Sequence, residues 1–91
     1  MSYPVSWFVI GRGWPVHARE GHQIGRVEEV VGETQEDIFN GLVVATGFFS
    51  TRYVPAERVR AIMEGRVDLD LSEAEVDALA KRPPSETSST G

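Results

Sequence analysis

The sequence predicts a mostly β protein, a small barrel of about six short antiparallel strands with a short C-terminal helix. Three observations predict it. Between Val16 and Leu71 the apolar residues fall in short runs separated by glycine and acidic turn residues, the punctuation of successive short strands. Only one helix start is well marked, and it comes after the last of these runs. Six strands are few for a two-sheet sandwich, and closing them into a barrel removes exposed strand edges.

The elements follow in order. Residues 14–18 form a first strand leading into a tight turn at residues 19–22, where Gly21 supplies a positive φ. The return strand, residues 23–31, places Ile24 and Val27 out of phase by one residue with Gly25 between them, which predicts a bulge or bend near Gly25. Residues 32–37 are polar and read as a connecting turn. Residues 38–46 are the most continuously apolar stretch and read as a central strand. A loop at residues 47–51 leads into a strand at 52–54, ended by Pro55, which cannot donate a ladder hydrogen bond. Residues 55–59 read as one helical turn and 60–63 as a strand, followed by a turn at Glu64 and Gly65. In residues 66–71, Val67, Leu69 and Leu71 alternate with Asp68 and Asp70, the pattern of a half-buried strand. Ser72 and Glu75 fit a capping box, in which hydroxyl and carboxylate satisfy unpaired amides at a helix start. Val76, Leu79 and Ala80 then form an apolar stripe suited to covering an open end of the sheet. Residues 1–12 read as a leader, 13–81 as the domain, and 82–91 as a disordered tail without an apolar anchor.

Ninety-one residues allow one core, and 41% apolar with 25% charged residues is ordinary for a globular chain. The net charge of −5, with a single lysine at Lys81 and scattered arginines, argues against direct nucleic-acid binding. The absence of cysteine excludes disulfides, thiolate metal sites and cysteine nucleophiles. No stretch has the roughly 20 apolar residues of a membrane span, and the first ten residues lack a signal peptide's charged and apolar regions. A cytoplasmic location is expected.

Catalytic, cofactor-binding and metal-ligating residues are not indicated, and the chain is not expected to be an enzyme. His17 and His22 flank the first turn, but no third histidine or cysteine completes a zinc site. Asp68, Asp70, Glu73 and Glu75 superficially resemble a calcium loop, yet the interleaved leucines and missing central glycine favour a strand edge and a helix cap. Gly11 and Gly13 lack the lysine and helix of a phosphate loop, and no nucleophile motif surrounds Ser50, Thr51 or Ser72. The adjacent aromatics stand out. Trp7 with Phe8, and Phe48 with Phe49, cannot each place both rings in one core if extended. Either one ring of each pair is exposed as a contact surface, or the leader folds back and buries them.

The run Gly13-Trp-Pro-Val16, then Glu20-Gly-His-Gln-Ile-Gly-Arg-Val27 with Val30 and Val31, then Gly41-Leu-Val-Val44, then Tyr53-Val-Pro-Ala-Glu-Arg-Val59, then Val67-Asp-Leu-Asp-Leu-Ser72 resembles a PRC-barrel domain over about residues 13–79. The resemblance implies a PRC-type β-barrel that works as a non-catalytic protein-interaction, or adaptor, module, as in many stand-alone bacterial proteins without assigned roles. Trp7, Phe8, Phe48 and Phe49 are the expected contact residues for a protein partner of unknown identity, a second copy in a homodimer included. Two alternatives stay open: a ribosome- or RNA-associated assembly factor, by analogy with a ribosome-maturation branch of the family, and a small-ligand or metal-binding barrel, for which His17 and His22 are the hint.

Overall fold

A computed structural model of the chain describes residues 6–47 and 50–83. A 310 turn (Trp7–Val9) precedes six strands: β1 (Pro15–His17), β2 (Gln23–Glu33), β3 (Ile38–Ala45), β4 (Thr51–Pro55), β5 (Val59–Met63) and β6 (Arg66–Leu69). A second 310 turn (Ala56–Arg58) joins β4 to β5, and a short helix, α1 (Glu73–Asp77), follows β6. All six strands lie in one sheet, in the order β4-β3-β2-β1-β6-β5.

The expectation of uniformly antiparallel strands is corrected at one pair: β1 and β6 are parallel, with Val16 opposite Val67. Chain direction explains this. Hairpin reversals link β1 to β2, β2 to β3 and β3 to β4, and another links β5 to β6. The second 310 turn carries the chain from β4 into β5 without a reversal. After four reversals β6 therefore runs the same way as β1.

The core is one-sided. Val16, Val27, Leu42, Val44, Val54, Val59, Ile62, Val67 and Leu69, from all six strands, share one buried cluster with Ile10, Leu71 and Val76. Since residues of both outer strands, β4 and β5, reach this cluster, the single sheet curls around it. No ladder joins β4 to β5 among the described residues, so the sheet is not closed by backbone pairing.

Four bulges make the curl compatible with the sequence. Ile24, Val27 and Val30 all pack in or against the core at a spacing of three, which a regular strand's period of two forbids. Ile24 is passed over in the β1–β2 register, between the pairs Val16–Gly25 and His17–Gln23, and Glu28 is passed over in β2–β3, between Val27–Val44 and Glu29–Val43. Each extra residue returns the next apolar side chain to the inner face and increases the local twist. Arg60 plays the same part between Val59 and Ile62 in β5, and Asn40 between Phe39 and Leu42 in β3. The bulge expected near Gly25 is present. Gly32, expected in a turn, belongs to β2, and the turn spans residues 34–37.

The α1 capping box forms as expected: the Glu75 amide donates to Ser72 Oγ over 3.1 Å, and the Ser72 amide to Glu75 Oε1 over 2.8 Å. Val76 is buried and Leu79 packs against the core, whereas Ala80 is exposed and contributes its backbone instead. The Tyr53 amide donates to Ala80 O over 2.8 Å and the Thr51 hydroxyl to Lys81 O over 2.9 Å, so the segment after α1 lies along the open edge of β4. No helix among the described residues is long and apolar enough to cross a membrane. Of the expected tail, residues 84–91 lie outside the described residues, as do residues 1–5 of the leader.

Candidate functional site

The two long strands β2 and β3 extend beyond the core as a hairpin arm whose tip, residues 34–37, is exposed. The first 310 turn folds onto this arm. Ser6 caps it, its hydroxyl accepting from the Phe8 amide at 3.1 Å. The Trp7 ring stacks on Phe39 with centroids 5.3 Å apart and planes 11° from parallel. Its indole Nε1–H donates to Asp37 Oδ1 over 2.8 Å. It also lies over Gly32, where a Cβ would come within 2.9 Å of Trp7 Cη2. Only glycine leaves the ring this room. Asp37 itself has φ 55°, a left-handed conformation that short polar residues tolerate.

Trp7, so fixed, supports Phe8. The two rings meet edge to face at 4.6 Å, and Phe8 stays 54% exposed, with Val9 beside it 49% exposed. Trp7, Phe8, Ile10, Val30, Gly32 and Thr34 line an open depression of about 220 Å³. Ile38 in β3 is the other large apolar residue exposed among the described residues. Of the expected contact residues, the structure thus seats Trp7 and presents Phe8, while Phe48 and Phe49 lie outside the described residues.

A second depression, about 430 Å³, is lined by Val31, Asn40, Tyr53, Pro55, Glu57 and Pro83 on the other side of the arm. The Tyr53 hydroxyl donates to Asn40 O over 2.8 Å and its ring lies over Gly41, where a Cβ would come within 2.7 Å of Tyr53 Cζ. Partial burial, and then the nearby Glu57 carboxylate, push the Tyr53 phenol above its usual range. The Tyr53 hydrogen bond holds the bulge carbonyl in place, and a phenol kept neutral is a structural donor.

The polar groups weighed for metal chemistry have other partners. His17 Nδ1–H donates to Gly21 O over 2.9 Å, and His22 Nε2–H to Glu73 Oε1 over 3.0 Å. Asp68 pairs with Arg66 at 3.0 Å; Arg19 reaches Asp70 at 3.3 Å and Glu75 at 3.1 Å. The His22 and Arg19 bonds tie the first hairpin turn to the β6–α1 junction. Among the described residues no three or more His, Cys, Asp or Glu side chains gather as a metal ion would require. Sequence reasoning missed Phe39, Asp37 and Gly32 as the seat of Trp7. An isolated glycine in a strand-like run is a sign of close approach, but nothing in the sequence says to what.

The fold and this face define a small curled-sheet domain that presents a fixed apolar surface. The PRC-barrel domain model matches residues 12–81, and the chain belongs to that family. The match covers the arm with Gly32, Asp37 and Phe39 and begins after Trp7 and Phe8. No curated protein matches the chain at a significant level.

Proposed function

We propose that the chain is a non-catalytic protein-interaction module that meets its partner through the Trp7–Phe8 face of the hairpin arm. The observation that carries this reading is a half-exposed Phe8 held on a fixed base: stacking, a hydrogen bond and a glycine seat all immobilise the Trp7 beneath it. An aromatic ring already ordered in the free protein costs little entropy to bind, which is how interface anchors work. The polar residues support a non-catalytic role, since the histidines and the 66–75 carboxylates named above are engaged in holding turns and strand ends together. The curled sheet, with β4 and β5 sharing one core, is read as the family's barrel with its seam between those strands.

The test is affinity capture from native lysate with the wild-type chain and a Phe8→Ser/Val9→Ser variant shown by circular dichroism to be folded. A protein retained by the wild type and lost by the variant is the expected result. The same proteins retained by both would contradict the assignment of the face.

A further inference from the structure

The hairpin arm has a second face, opposite the docked Trp7–Phe8 turn. Val30 packs against the core and Gly32 lies under Trp7, so Glu29, Val31 and Glu33, which alternate with them along β2, point the other way. The register carries this face across the arm: Val31 is opposite Gly41 and Glu33 opposite Ile38 in β3, and Gly41 is opposite Pro55 in β4. Val54 is buried in the core, so its neighbours Tyr53 and Pro55 also face outwards. The depression of about 430 Å³ opens here, and Val31, Tyr53, Pro55 and Glu57 line it together.

This face carries carboxylates without partners. Glu29, Glu33 and Glu57 are exposed, and none of them makes a salt bridge among the described residues. The Glu57 carboxylate lies near enough to Tyr53 to add to the upward push that burial gives the phenol. The Tyr53 hydroxyl donates to Asn40 O, which leaves the ring as its contact surface. Neighbouring arginines are turned to carbonyls elsewhere: Arg26 to Gly13 O, Arg52 to Asp77 O and Arg58 to Asp70 O. Lys81 and Arg82, from the segment along β4, pair with none of the three carboxylates. Residues 84–91 contain Glu86 and no lysine or arginine. The matching cation therefore comes from another molecule, and a two-fold contact with a second copy would set these carboxylates against their like.

We propose that this face takes an arginine-bearing segment of a partner protein, which packs a guanidinium on the Tyr53 ring beside Glu57 and lays apolar side chains along Val31 and Ile38 towards Glu33. Arginine suits the site better than lysine, because its planar group stacks on an aromatic ring while pairing with a carboxylate. The site goes beyond the Trp7–Phe8 reading and does not depend on it, since the two lie on opposite faces of the arm.

The probe is a fluorescein-labelled peptide of alternating arginine and leucine, compared by anisotropy with one in which citrulline, uncharged and of nearly the same shape, replaces arginine. The arginine peptide is expected to bind and the citrulline peptide not. Two lost surface charge pairs correspond to roughly fivefold weaker binding by Glu33→Gln/Glu57→Gln. Glu20→Gln/Glu64→Gln, which removes two exposed turn carboxylates elsewhere, should bind like the wild type. Tyr53→Leu should weaken binding about twofold to fivefold, as for an exposed cation–π contact, whereas Tyr53→Phe keeps the ring and the affinity. Equal loss in the two glutamine pairs would reduce the binding to overall charge and overturn the site. Wild-type affinity in Glu33→Gln/Glu57→Gln, or failure of the arginine peptide to bind, would overturn it too. Phe8→Ser should change nothing; a loss there with the outer-face variants unaffected would move the segment to the Trp7–Phe8 face, against this proposal but not against that reading. A dimer in sedimentation that Tyr53→Leu dissolves would give the face to a second copy instead.

Discussion

Gly32 leaves the Trp7 ring no spare room. A methyl group there would meet both the indole edge and the Ile38 carbonyl across the strand pair, so either the ring leaves its seat or β2 and β3 separate. Gly32→Ala is expected to cost about 1–3 kcal/mol, the usual range for overpacking a tight contact, read in urea denaturation. Trp7 emission should shift towards that of a solvent-exposed indole. A change below about 0.5 kcal/mol, ordinary for a free surface position, would mean the ring is not seated there. At this scale the sequence was partly legible. Trp7 and Phe8 stood out as adjacent aromatics, and the alternatives of burial and exposure resolved by dividing the pair, Trp7 seated and Phe8 presented. The seat was illegible because Gly32, Asp37 and Phe39 lie 25 or more positions away and carry no motif.

The elements were read largely from hydrophobic spacing and turn chemistry, and they differ from that reading where tertiary curvature overrides a regular period. Ile24, Val27 and Val30 have a spacing that suits a helix as well as a bulged strand; Gly25 hinted at the bulge, whereas the one at Glu28 had no local sign. The α1 cap was fully legible, because the Ser72–Glu75 spacing alone specifies the reciprocal hydrogen bonds. It also sets a pH response. The Ser72 amide chiefly, with Arg19 assisting, holds the Glu75 carboxyl below its usual range, against a smaller opposing effect of desolvation. A folded-state value below the unfolded one stabilises the fold above the ordinary carboxylate range and loses that contribution as pH falls through the folded value. Between about pH 5 and pH 3 the wild type should therefore lose stability more steeply than Glu75→Gln, as followed by denaturant midpoints. Equal slopes would mean the cap carries no titrating carboxylate.

For the whole molecule, class and family were legible from five short motifs in the right order, and the family match over residues 12–81 agrees with them. The parallel β1–β6 pair was not, since it depends on whether the chain reverses at the second 310 turn, and nothing in residues 55–59 specifies that. The proposed contact face lies where the family scaffold meets residues outside the match: the arm lies within the matched span, and the ring that seats on it comes from the preceding turn. The most direct measurement places a photo-activatable phenylalanine at position 8 in the native cell, with Glu64 in the exposed β5–β6 turn as control. A contact face at Phe8 predicts a discrete protein adduct from position 8 and none from position 64. Adducts absent from position 8, or the same from both positions, would contradict it.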